Sequence, residues 1–304
     1  MIQKYKNGSV TWIDVVEPTT EDIRTLMEEY DINPDTAHEL QLPSYKEKIV
    51  SYKDYIFLTL HFPALRHTHI DKTDQEIDFI VGKNFIITNR YEPIDALERF
   101  TKTFEFDSYL KKNLVTGHAG HVLYYMINEL YKAMSDEADS INDTLETIDK
   151  DIFSGKEKVM VGRISEVSRD LISFNHILVT HKDILISLKD SSVKFFGKDF
   201  VHNITKIISE YHRIEKSLTN NIDFIKEIRY TNDSLLSLKQ SETMKHLTMM
   251  AFVTFPLTIM TSMFGMNTIY MPIIGHPYDF LIIVSIMFMI TILFFSFFKY
   301  KKWL

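Results

Sequence analysis

LTMMAFVTFPLTIMTSMFGM at residues 247–266 and FLIIVSIMFMITILFFSFF at residues 280–298 contain no charged side chain. Each has the length of a helix that crosses a hydrocarbon core of about 30 Å. Only residues 267–279 join them, so the pair reads as a transmembrane hairpin followed by a basic tail at 299–304. Everything before residue 247 must then be explained as a part in water that is attached to that hairpin.

Charge sets the orientation and the partners. The chain carries −7 overall and residues from 245 onward carry +3, which leaves −10 on residues 1–244. An acidic soluble part argues against nucleic acid as a partner and suits a domain that meets cations, although many solvated domains are equally acidic. The connecting loop has no Lys or Arg, whereas Lys239 and Lys245 precede the first span and Lys299, Lys301 and Lys302 follow the second. The positive-inside rule therefore predicts both termini in the cytoplasm and the loop outside, in the cell (inner) membrane, with Tyr300 and Trp303 at the interface. There is no cysteine, so disulfides and thiolate metal sites are excluded. The opening MIQKYKNGSVTWIDVVEP has no apolar h-region, and no cleaved signal peptide is expected.

Residues 1–118 read as a cytoplasmic α/β domain. A strand is expected over 10–16, and Pro18 with Thr19-Thr20-Glu21-Asp22 signals a helix start. Pro34 opens a second helix through Leu40. Strands follow over 55–62 and 76–81, the latter turning through Gly82-Lys83-Asn84 into 85–88 as a hairpin. From about Gly120 the strands stop. Residues 119–197 read as an antiparallel helical pair broken at Gly155, and 198–246 as a stalk helix. Phe200, Ile204, Ile207, Tyr211, Ile214, Leu218, Ile222, Ile225 and Ile228 form its apolar seam, which predicts packing against other helices. No Pro or Gly interrupts residues 198–255, so the stalk is predicted to continue into the first span. The fold class is thus an α+β cytoplasmic domain, a long helical stalk and a two-helix transmembrane hairpin.

Two spans cannot enclose a polar path, so transport requires an oligomer. The first span supplies a suitable face: Ser241, Met244, Thr248, Ala251, Phe255, Thr258, Ser262 and Gly265 recur at threes and fours. Small and hydroxyl-bearing side chains on one face equally suit a helix–helix contact in the membrane, and both readings stand at this point. Gly265-Met266-Asn267 closes the stripe at the outer surface. A ring of Asn267 side chains would offer neutral carbonyl oxygens to a hard cation or its waters. Magnesium sheds water reluctantly, so a ring that holds the hydrated ion avoids most of the dehydration cost. Gly265 permits a close backbone approach or an unusual dihedral at the turn. Pro256 lies mid-span, where prolines are tolerated without a special role.

A hairpin whose loop begins Gly-Met-Asn resembles the CorA family of divalent-cation channels. Trp12-Ile13-Asp14 with Pro18 resembles the family's opening, and Val81-Gly82-Lys83-Asn84-Phe85-Ile86-Ile87-Thr88 its hairpin. Met244-Lys245-His246-Leu247-Thr248 with Phe255-Pro256-Leu257-Thr258 resembles the start of its pore helix, and Lys301-Lys302-Trp303-Leu304 its ending. The resemblance implies a homopentameric funnel with Gly265, Met266 and Asn267 as the selectivity filter. It also implies Ser241, Met244, Leu247, Phe255 and Thr258 as inner pore residues, with Met244 and Leu247 as the apolar constriction. It implies passive uptake of Mg2+, with Co2+ and Ni2+ as further candidates, no required cofactor, and Mg2+ as a regulatory ligand.

This chain departs from the family pattern at named positions. The family's outer Met-Pro-Glu-Leu is here Met271-Pro272-Ile273-Ile274, so Ile273 replaces a carboxylate and only Asp279 is acidic in the loop. Ser241 stands where an inner Asn is common, and Lys206 where the stalk's acidic regulatory ligand is expected. Glu210 and Asp223 on the stalk, with Asp71, Asp74, Glu76 and Asp78 in the domain, are the substitutes, against the alternative of a solvated acidic face. The transport rival is a ZntB-like proton-coupled zinc carrier, whose usual Gly-Ile-Asn or Gly-Val-Asn is not met by Met266. His61, His67 and His69 are read as surface or interface histidines. A rival of another class is a membrane-anchored sensor or scaffold. No phosphate loop, nucleophile elbow or metal-hydrolase motif supports an enzyme.

Overall fold

The computed structural model describes residues 2–44, 46–64, 74–110, 117–267, 269, 272–275, 277–301 and 303. The chain divides into two compact units, Met1–Arg229 and Tyr230–Leu304. The first is built on a six-stranded sheet of β1 (Ile2–Asn7), β2 (Val10–Val16), β3 (Lys48–Ser51), β4 (Tyr55–Pro63), β5 (Asp74–Gly82) and β6 (Phe85–Arg90). Its order is β1-β2-β6-β5-β4-β3, parallel only between β2 and β6.

Strand alternation gives the sheet two faces. One carries Ile13, Val15, Tyr55, Phe57, Ile80 and Ile87 and is covered by α1 (Thr20–Tyr30) and α2 (Pro34–Glu39) through Ile23, Leu26, Ala37 and Leu40. Thr19 starts α1 with a reciprocal capping box, its hydroxyl accepting from the Asp22 amide and its own amide donating to the Asp22 carboxylate. The other face presents Trp12, whose ring packs on Phe100 and Phe104 of α3 (Asp95–Leu110).

The parallel register puts Asp14 beside Thr88. The Trp12 indole N–H donates to Thr88 Oγ1 at 2.9 Å, and that hydroxyl donates to Asp14 Oδ1 at 2.6 Å. Arg90 Nη2 donates to Asp14 Oδ2 at 2.8 Å, and both side chains are buried. The motif residues Trp12, Asp14 and Thr88 are therefore one polar cluster that registers two strands far apart in sequence.

Three long helices extend the unit: α4 (Ala119–Asp151), α5 (Glu157–Phe196) and α6 (Val201–Phe264), of which the first 29 residues belong here. Gly155 divides α4 from α5 with φ 87°, the left-handed conformation that favours glycine. A series of buried positions on each helix steps by fours and threes. They run Ile127, Tyr131, Met134, Ala138, Ile141, Leu145, Ile148 on α4, and Ile164, Val167, Leu171, Phe174, Leu178, His181, Leu185, Leu188 on α5. On α6 they run Ile204, Ile207, Tyr211, Ile214, Leu218, Asn221, Ile225, Ile228. This is a coiled-coil repeat with polar members. The seam passes through Asn221 and not the neighbouring Ile222, because the Asn221 amide donates to the Ala138 carbonyl at 2.8 Å and so enters the core satisfied.

Removing one member of the Asp14–Arg90 pair leaves a buried charge uncompensated. Asp14→Ala is expected to cost about 3–5 kcal/mol, read as a lower melting temperature of the full-length protein in detergent. Asp14→Leu with Arg90→Met should recover most of that loss.

Candidate functional site

In the second unit, α6 continues to Phe264 without a break at Pro256, and α7 spans Asp279–Tyr300. These are the two helices among the described residues long and apolar enough to cross a membrane. Thr258 donates its hydroxyl hydrogen to the Thr254 carbonyl at 2.9 Å, and Thr248 to the Met244 carbonyl at 2.8 Å. Hydroxyls bonded back to the helix in this way keep their lone pairs outward, so they act as acceptors.

The partly covered residues Met249, Val253, Pro256, Leu257, Met260 and Phe264 share one face of α6. Met249 and Val253 lie with Phe295 and Phe298 of α7 around one cleft. At 100° per residue, Ser241, Met244, Thr248, Ala251, Phe255, Thr258 and Ser262 fall on the opposite face, with Leu247 at its edge. All of these stripe residues are exposed in the single chain. The predicted stripe is therefore one surface turned away from α7.

Gly265 ends α6. Its amide donates to the Thr261 carbonyl at 2.9 Å, and a Cβ at this position would lie only 3.1 Å from that same oxygen. Met266 and Asn267 follow, exposed, at the helix end. Asp279, the one loop carboxylate, is engaged locally and accepts from the Phe280 amide at 2.6 Å and the Gly275 amide at 3.4 Å.

The proposed regulatory carboxylates do not converge within one chain: no group of three or more acidic or His residues able to hold a metal occurs among the described residues. Glu210 pairs with Arg213 at 2.7 Å and Asp223 with Lys226 at 2.8 Å. Asp71 lies outside the described residues, as do His67 and His69, while Asp74 is exposed at the start of β5. Glu76 and Asp78 are not surface groups. Both are buried on β5, where Asp78 accepts from Thr59 at 2.7 Å and Asn89 at 3.1 Å, and Glu76 accepts from the Ser44 amide at 2.6 Å. Burial, helped by the nearby Glu76 charge, pushes the Asp78 carboxyl up to about 7.

His61 also corrects the surface reading, because it is buried. Its Nδ1 lies 3.7 Å from Glu47 and its Nε2 lies 3.4 Å from Glu76 and 3.0 Å from the Ser44 carbonyl. Burial works against its charge, but the two carboxylates prevail and raise it to about 10. His181 behaves oppositely. It is fully buried, and burial holds it down to about 4. Its neutral ring therefore donates from Nε2 to the His61 carbonyl at 2.7 Å and accepts from the Tyr131 hydroxyl at 2.7 Å. The Thr180 hydroxyl donates to Glu47 and closes the link between α5 and the segment before β3. Sequence reasoning missed this network. The only signal was a polar residue, His181, at a seam position of α5.

A sheet domain joined to a helical bundle, with a long helix that becomes the first of two spans, defines a two-span integral membrane protein. The model of the CorA-like Mg2+ transporter family matches residues 7–302. The chain belongs to that family, one of membrane ion transporters and not of enzymes. The cobalt/magnesium transport protein CorA of Thermotoga maritima is 21% identical over 98% of this chain and 84% of that protein. CorA of Methanocaldococcus jannaschii is 21% identical over 99% of this chain and 93% of that protein. The complete structure of the latter magnesium transporter superposes with a TM-score of 0.84 at 20% identity, over 99% and 93% of the two chains. The cytoplasmic domain of ZntB from Vibrio parahaemolyticus gives 0.62 at 13% identity over 77% of this chain and 89% of that one.

The His61 cluster predicts a pH dependence. The folded value, about 10, lies above the ordinary 6.5. Its stabilisation is therefore complete below pH 6.5 and is lost as pH rises toward 10. Melting temperature of the native protein should fall between pH 7 and 9.5. His61→Gln should melt lower at pH 7 and show a flatter profile over that range.

Proposed function

We propose that this chain is the subunit of a homopentameric channel for passive uptake of Mg2+, with Asn267 as the outer selectivity ring. The observation that carries the reading is the acceptor-rich, exposed face of α6 opposite α7. Five copies placing that face inward would line a path with Thr248, Thr258 and Ser262, narrowed by Met244, Leu247 and Phe255. Such a lining has no fixed charge. It accepts hydrogen bonds from the water shell of a hydrated cation and does not strip it. The curated relatives of Thermotoga maritima and Methanocaldococcus jannaschii are named as cobalt/magnesium transport proteins, which supports the ion class.

Magnesium influx into proteoliposomes, followed with an internal indicator, is expected to drop at least about tenfold in Asn267→Ala, with cobalt competing and zinc without effect. Unchanged influx would remove Asn267 as the filter. Zinc movement that requires a proton gradient, with no magnesium influx, would favour a zinc carrier.

We also propose that both termini face the cytoplasm of the cell membrane, which follows from the lysine distribution. The chain has no cysteine, so a single one reports cleanly. Ile269→Cys, 92% exposed in the loop, should react with a membrane-impermeant maleimide on intact cells. Ser241→Cys should react only after permeabilisation.

Regulation by Mg2+ would fall to Asp71, Asp74, Glu210 and Asp223, because Glu76 and Asp78 are spent inside the sheet. Millimolar Mg2+ should then slow proteolysis of the soluble part. Equal digestion with a chelator would dismiss that role.

A further inference from the structure

The inner end of the hairpin holds a feature that ion passage does not use. Met249, Met250, Val253 and Thr254 of α6 and Phe295 and Phe298 of α7 line an apolar cleft, with His246 at its edge. Met249 and Phe298 form its buried wall. Past Phe298 the chain curls back. The Lys301 amide donates to the Phe297 carbonyl at 3.0 Å and the Trp303 amide to the Phe298 carbonyl at 2.9 Å. The Trp303 indole stacks on Phe298, centroids 6.1 Å apart and planes 8° from parallel. Lys299 and Lys301, both exposed, follow Phe298 in the sequence, and Lys245 precedes His246 on α6. Glu242 is the one carboxylate in the sequence between Asp233 and Asp279.

An apolar slot whose lining residues Phe298 and His246 are followed or preceded in the sequence by lysines matches one kind of molecule: a long acyl chain attached to a negative headgroup. Basic pockets between membrane helices on the cytoplasmic side take anionic headgroups for this reason. A zwitterionic lipid carries its own ammonium and gains less from three lysines. The indole of Trp303 sits where amphipathic rings prefer to lie, at headgroup depth. We infer that this cleft is a binding site for an anionic phospholipid of the inner leaflet. An acyl chain lies between Val253 and Phe295, and the phosphate lies against Lys299, Lys301 and Lys245. The assignment to the inner leaflet rests on the cytoplasmic placement of both termini proposed above; the chemistry of the cleft does not.

The test is native mass spectrometry of the full-length protein from mixed micelles containing phosphatidylglycerol and phosphatidylcholine of the same acyl chains. Phosphatidylglycerol should be retained about tenfold over phosphatidylcholine. Lys299→Gln with Lys301→Gln should lower it to the phosphatidylcholine level, Lys299→Arg with Lys301→Arg should keep it, and Val253→Trp should abolish retention of both by filling the slot. Equal retention of the two lipids by the native protein would overturn the proposal, as would unchanged phosphatidylglycerol retention in the Gln pair or in Val253→Trp. Labelling of Ile269→Cys from the cytoplasmic side would refute the orientation alone and leave micelle binding unaffected, so the two failures are told apart.

Discussion

In hydrocarbon there is no water to satisfy a backbone N–H or C=O, so a spanning segment must satisfy them within itself. That constraint shapes this chain more than any single contact. It requires α6 to remain one helix through the change of solvent, from the core seam ending at Ile228 to Phe264. It also explains why the hydroxyls of Thr248, Thr254 and Thr258 bond back to carbonyls a turn earlier. The hydroxyl hydrogen is placed where an acceptor already exists, and the remaining lone pairs of Thr248 and Thr258 give an apolar helix a weakly polar face. The cost of burying these hydroxyls is therefore offset locally, without a charged residue in either span.

The soluble unit uses the opposite strategy and buries polar groups in pairs and chains. Asp14 with Arg90 fixes β2 against β6, and His61 with Glu47 and Glu76 fixes β4, β5 and the segment before β3. His181 and Asn221 do the same inside the helical repeat. Groups of this kind add little net stability compared with apolar packing, because desolvation offsets their attraction. Their effect is on register: a helix shifted by one residue would leave His181 without the His61 carbonyl, or Asn221 without that of Ala138. An unsatisfied buried group then costs about 1–3 kcal/mol.

The sequence was most legible where one property dominates a stretch. The spans, β2, β4, β5 and the hairpin to β6 follow from unbroken apolarity or alternation, and α1 and α2 from Thr19 and Pro34. β1 and β3 were not read because they are edge strands. IQKYKN and KIVS carry lysines, as edges that avoid pairing with another chain commonly do, and they gain their structure from one neighbour each. α3 was not read although Leu97, Phe100 and Phe104 recur at threes and fours; the Trp12 ring that two of them pack on is about ninety residues away and was not visible as their partner. Ile222 was taken for the seam over Asn221 since hydrophobicity is visible in a sequence and a hydrogen bond to another helix is not. His61 and Glu76 were misread for the same reason: a charged side chain looks solvated until its partners are known. The stripe of the first span was legible as a face, yet only the structure separates it from the α7-facing side.

That separation bears on the choice between a pore and a helix–helix contact for the stripe. A small-residue contact would place Ala251, Thr258 and Ser262 against the nearest helix, which within this chain is α7. Instead the α7 side presents Met249, Val253, Leu257, Met260 and Phe264, apolar side chains that are at least partly covered, and the hydroxyl face is left exposed. Phe255 and Met244 on that free face argue further against a close contact, since either would hold two backbones apart. Bulky groups alternating with small acceptors do suit a path of varying width, in which apolar positions exclude water and the hydroxyl positions admit it. The loss of the loop carboxylate at Ile273 fits the same economy. With Asp279 held by backbone amides, the loop of the proposed channel would offer little charge to gather cations, and discrimination would fall to the neutral oxygens of Asn267.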